Sequence, residues 1–142
     1  MSTRTDPPIP PEVSAVFDSY PAAMRARLLE IRGLIYRVAL DCDAGPLTET
    51  LKWGEPAYLT QATKSGTTIR LGRVKDAAGA AVLFNCNTAL VAGFREQFDG
   101  VFRFSGKRAL LLDIDAPLPE DALAICLARA LSYHRDKRKG AA

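Results

Sequence analysis

The sequence predicts an α+β fold: a two-layer sandwich with an antiparallel sheet of five or six strands and the N- and C-terminal helices on one face. Three observations predict it. The first forty residues carry apolar side chains at helical spacing. From Leu47 to Ile114 the period falls to two, interrupted by Gly-, Asp- and Pro-containing breaks. After Pro119 the helical period returns. Helices flanking a run of short strands bury their stripes most simply on one side of a single sheet. The other side is then left partly open to water.

Residues 1–11 are polar and Pro-rich and are expected to be without order. Pro10-Pro11-Glu12 opens a short helix through Phe17, because proline is tolerated in a first turn. Asp18-Ser19-Tyr20-Pro21 is a break and restart, with Ser19 or Tyr20 as N-cap. The helix from Pro21 to about Leu40 follows from Met24, Leu28, Ile31, Ile35 and Val38, which draw one stripe. Arg25, Arg32 and Arg37 fall largely off it. Gly45-Pro46 ends the segment.

Glu49, Leu51 and Trp53 share one face of the first strand, with Thr50 and Lys52 on the other. Gly54-Glu55-Pro56 interrupts the strand and Ala57–Gln61 resumes it. Lys64-Ser65-Gly66 is a turn into Thr67–Val74, where Ile69 and Leu71 oppose Arg70. Ala80–Phe84 is apolar on both faces and belongs in the centre of the sheet. Asn87 or Thr88 caps a short helix through Gln97. Val101–Phe104 and Arg108–Ile114 complete the strands, and the last helix runs from Pro119 to about Lys137. Its stripe is Leu123, Cys126, Leu127, Ala130 and Leu131.

At 142 residues the chain is one domain, placed at 12–137, with 138–142 a disordered tail. No apolar run approaches the ~20 residues needed to span a bilayer. Nor does the N-terminus have the apolar core of a signal peptide. Cys42, Cys86 and Cys126 are odd in number and widely spaced, which suits a reducing cytoplasm rather than a disulfide framework. The net charge of +3 permits an acidic partner without requiring one. Its Arg135–Lys139 run is short and lacks an aromatic, so it reads as a solubilising helix end rather than a nucleic-acid arm.

Strand alternation directs Lys52, Tyr58, Arg70, Arg103 and Arg108 away from the helices. Four cations and an aromatic on one surface suit an anionic or planar ligand, since arginine grips carboxylate and phosphate with two donors. The alternative is a solvated face whose long side chains cover apolar strands. Trp53 groups by parity with Leu51 as a core residue; otherwise it lines a pocket wall with Tyr58 and the Gly54–Pro56 bend. Cys86 with the single histidine, His134, is the only nucleophile–base pairing to weigh against a buried thiol and a capping imidazole. No cofactor fingerprint is present: Ser105-Gly106-Lys107-Arg108 lacks the upstream glycine of a phosphate loop. Asp41, Asp43 and Glu49 are the nearest approach to a hard-cation cluster, and turn solvation explains Asp at such positions equally.

Leu51-Lys52-Trp53-Gly54-x-Pro56-x-Tyr58 resembles the YdhG-like family, a bacterial domain family of unknown function. Arg25, Leu29 and Arg32 in the long helix and Phe102–Arg108 support the resemblance, which covers about residues 12–135. It implies an α+β sandwich with an antiparallel sheet. Some members are described as frataxin-like iron chaperones, which implies an acidic iron surface; here Asp41, Asp43 and Glu49 are the only clustered candidates. The expected function is therefore a cytoplasmic, non-enzymatic binding module for a small anionic ligand or protein partner. Iron delivery, or catalysis through Cys86 or His134, are the alternatives.

Overall fold

The computed structural model describes residues 6–140. Two helices, α1 (Pro11–Asp18) and α2 (Ala22–Asp41), lead into β1 (Thr48–Lys52), β2 (Glu55–Leu59), β3 (Ile69–Gly72) and β4 (Ala80–Leu83). Helix α3 (Leu90–Gln97) precedes β5 (Arg103–Ser105) and β6 (Ala109–Leu112), and α4 (Glu120–Leu131) and α5 (Tyr133–Gly140) close the chain. The six strands form one antiparallel sheet in the order β1-β2-β3-β4-β6-β5. Strand β4 is internal and wholly buried, as its uniformly apolar composition requires. Among the described residues no helix is long and apolar enough to cross a membrane.

The main core lies between the sheet and the helices. Met24, Leu28, Ile31, Ile35 and Val38 of α2 meet Leu123, Cys126, Leu127, Ala130 and Leu131 of α4 there. Ile69, Leu71, Val82, Leu110 and Leu112 supply the sheet side. Each fully buried Leu or Ile contributes about 1.5–3 kcal/mol. Burial lifts the Cys126 thiol to about 12, so it stays a neutral packing group.

The opposite face differs from a bare, wet surface. Ala81, Leu83, Ala109 and Leu111 are buried there beneath Val74 and Ala77, because the β3–β4 loop folds back over the middle of the sheet. Among the described residues no helix side chain belongs to this second cluster.

The last helix breaks at Ser132, which sequence periodicity does not show. The Ser65 carbonyl accepts the amides of His134 and Arg135, giving α5 a start of its own, and the Ser65 hydroxyl donates to the Leu131 carbonyl. Helix α5 continues to Gly140, into the segment expected to be a disordered tail; 141–142 lie outside the described residues. Residues 6–10, also expected to lack order, run against the body. The Pro7 carbonyl accepts from Arg32, and Ile9 packs on the core. Residues 1–5 lie outside the described residues.

Candidate functional site

The site is organised by the β1–β2 hairpin. Lys52 pairs with Glu55, leaving Trp53-Gly54 as a two-residue loop. Both loop residues have left-handed backbones, with φ of 55° and 77°. Two positive values define the hairpin turn that matches strand twist. Glycine adopts this conformation readily, whereas for tryptophan it is strained. The turn throws the indole out of the strand, and Trp53 is 90% exposed. Its expected place in the core is therefore wrong: parity ends where the extended backbone ends.

The same two-residue loop sets the register of β2. Tyr58 faces Glu49 across the ladder and is fully buried on the helix side, not on the open face where it was expected. Its hydroxyl donates to Glu49 Oε2 at 2.7 Å. Burial, then the Glu49 charge, pushes its phenol well above the ordinary value.

Two adjoining hollows lie on the open face, and Trp53, Arg70 and Arg108 line both. One, of about 430 Å³, is completed by Lys52, Leu59, Thr68, Phe84 and the run Asn85-Cys86-Asn87. The other, of about 540 Å³, is completed by Glu55, Arg73, Val74 and Leu83. They lie towards opposite ends of β3, since Thr68 precedes that strand and Arg73 follows it. At about 3.3 Å per residue, these ends are roughly 17 Å apart.

Charge in the hollows is unbalanced. Among the described residues Glu55 is the only carboxylate lining them, and it holds Arg70 at 2.5 Å. Gly72 makes room for it, because a Cβ there would lie 2.5 Å from Glu55 Oε2. Burial raises the Glu55 pKa, with Arg70 opposing the shift. Lys52, Arg73 and Arg108 are exposed and form no ion pair among the described residues.

The structure thus gathers Lys52, Trp53, Arg70 and Arg108 and leaves two expected members out. Tyr58 is inside the protein. Arg103 sits on edge strand β5, paired with Asp113 at 2.7 Å and with the Ala78 carbonyl. Three strand spacings, about 14 Å, separate β5 from β3. Arg73, Asn85 and Asn87 were not foreseen. They lie in loops just beyond strands, where alternation carries no information.

Among the described residues no group of three His, Cys, Asp or Glu side chains is placed to hold a metal ion. Asp41 ends α2, and Asp43 follows it with φ of 55° in the turn, both exposed. Glu49 is already engaged. It accepts from Arg32 twice, from Tyr36 and from Tyr58. Arg32 is therefore buried, contrary to its expected place off the helix stripe. Cys86 lines the first hollow, whereas His134 lies on α5 with its ring against Tyr133; no hydrogen bond joins the two among the described residues.

No family model matches the chain, and no curated protein matches it. Among solved structures it is similar to a protein of the DUF1801 family, YdhG, from Bacillus subtilis. The two are 15% identical with a TM-score of 0.57, covering 89% of this chain and 90% of that one. At this identity the likeness establishes the fold alone: the chain shares the α+β fold of that protein, the fold that the resemblance of the Leu51–Tyr58 segment implied.

Proposed function

We propose that the protein is a binding module whose ligand is an anion with a planar group, seated on the open sheet face. The observation that supports this is one convergence. The single Trp stands exposed beside three cations that form no ion pair among the described residues, Lys52, Arg73 and Arg108, and beside Arg70 at the junction of two hollows. A solvated face requires neither the concavity nor a bulky aromatic held in a strained turn. Strain of this kind persists where the surrounding structure over-determines it, and it clusters at binding sites. The indole offers a flat surface, and the guanidinium groups neutralise charge.

The test uses naphthalenesulfonate as a planar anion and follows the indole Nε1–H resonance, of which the protein has one. That resonance should shift saturably. The exposed double change Arg73→Ala/Arg108→Ala should weaken binding about tenfold or more, with Tm little altered. An unmoved indole signal, or equal affinity in the double variant, would overturn the proposal.

A further inference from the structure

The geometry points to a nucleotide unit as the ligand of this site, with its base against Trp53 and its phosphate on Arg70 and Arg108. This rests on the planar-anion proposal and adds to it a polar end that a simple aromatic anion leaves unused. Thr68, Asn85 and Asn87 line the first hollow together with the indole. The Asn85 side-chain carbonyl accepts the Asn87 backbone N–H at 2.9 Å, and the Asn85 NH₂ makes no hydrogen bond among the described residues. The Asn87 side chain is exposed and makes no hydrogen bond among the described residues. A side-chain amide presents donors and an acceptor together, which is what the edge of a base demands.

Three requirements of a nucleotide are therefore met in adjoining places. A π-surface is available for the base, with stacking worth about 1–3 kcal/mol. Amides are available for its edge. Cations are available for phosphate at the point shared by both hollows. A hollow of about 430 Å³ falls within the usual size of small-molecule sites. The second hollow continues the surface past Arg73. The unit is consequently either a free nucleotide or one residue of a single strand whose next phosphate reaches Arg73.

The experiment follows the Trp53 indole resonance against AMP, a short oligoadenylate, ribose 5-phosphate and naphthalenesulfonate. AMP should shift it saturably and at least tenfold more tightly than ribose 5-phosphate. Arg108→Ala should weaken AMP about tenfold. Asn87→Ala should weaken AMP at least threefold while leaving naphthalenesulfonate unchanged, and Arg103→Ala, outside the hollows, should alter neither. Oligoadenylate binding that is tighter than AMP and falls with salt identifies the strand as the source. AMP binding that the oligomer does not exceed identifies the free nucleotide. If naphthalenesulfonate binds but AMP does not, or if ribose 5-phosphate equals AMP, the nucleotide assignment fails while the planar-anion site stands. If none of the four moves the indole, both fail.

Discussion

Arg32 of α2 and Glu49 of β1 form a two-pronged ion pair, Nε to Oε2 at 2.6 Å and Nη2 to Oε1 at 2.8 Å, with both side chains 5% exposed. The Glu49 carboxylate also accepts from Tyr36 and Tyr58, and the Arg32 guanidinium lies 4.9 Å from the Tyr36 ring centre. The group ties the helix layer to the edge strand that carries the Trp53 hairpin.

Removing one partner of this pair strands the other in the interior. Glu49→Gln or Arg32→Met should each lower unfolding stability by about 3–5 kcal/mol. The double change Arg32→Met/Glu49→Gln should cost clearly less than the two single losses added. Urea denaturation of the four proteins gives the coupling; strict additivity would show that the pair does not act as a unit.

The two tyrosines predict the alkaline limit of the fold. Burial, then Glu49, raises Tyr36 from the ordinary 10.0 to about 12, and Tyr58 is raised as well. A raised phenol pKa means that the folded state holds the proton more tightly. Stability from this source is complete below about pH 10 and is lost as pH climbs through the folded value. Ultraviolet phenolate absorbance should show a late-titrating group that includes Tyr36 and Tyr58, and Tyr58→Phe should remove one member of it.

Glu55 opposes the proposed ligand. Glu55→Gln frees Arg70 and should tighten naphthalenesulfonate binding about three- to tenfold. Its raised pKa adds a pH dependence of definite sign. The folded state favours the neutral acid, so this group's contribution is full below its unfolded pKa and declines as pH rises. Protonation also releases Arg70. Affinity should therefore grow as pH falls through the Glu55 titration, and Glu55→Gln should flatten that profile. Weaker binding in mild acid would contradict it.

Trp53 sets function against stability. Asn-Gly is the pair best suited to a two-residue hairpin loop with two positive φ values. Trp53→Asn should stabilise the fold by about 1 kcal/mol by relieving left-handed strain, while abolishing the response to planar anions. Thermal unfolding followed by dichroism, together with calorimetric titration, measures both effects. A variant that binds as well as the parent would place the ligand elsewhere.

Much of this architecture is legible in the sequence, for identifiable reasons. Alternation with turn residues locates all six strands. The uniformly apolar Ala80–Leu83 goes to the centre, and the α2 and α4 stripes contain the residues that pack together. Within β3, Arg70 opposes Ile69 and Leu71 as parity requires. Parity fails at Trp53 because a left-handed residue leaves the pleat, and at Tyr58 because treating Gly54–Pro56 as a break hides a tight hairpin. Arg32 escapes notice because its partner lies 17 residues away in a strand. Apolar periodicity does not register a cation neutralised from outside its own helix. Arg73 and the Asn85–Asn87 run lie in loops, whose course depends on how the whole sheet twists and closes.

The exposure of the single indole has a practical result. A fluorophore already bathed in water changes its emission little when the chain denatures, so intrinsic fluorescence should hardly register the loss of the fold. The same fluorophore stands at the rim of both hollows, where any molecule settling on it alters its light. Spectroscopists thus have in Trp53 a reporter of occupancy that is nearly silent about folding.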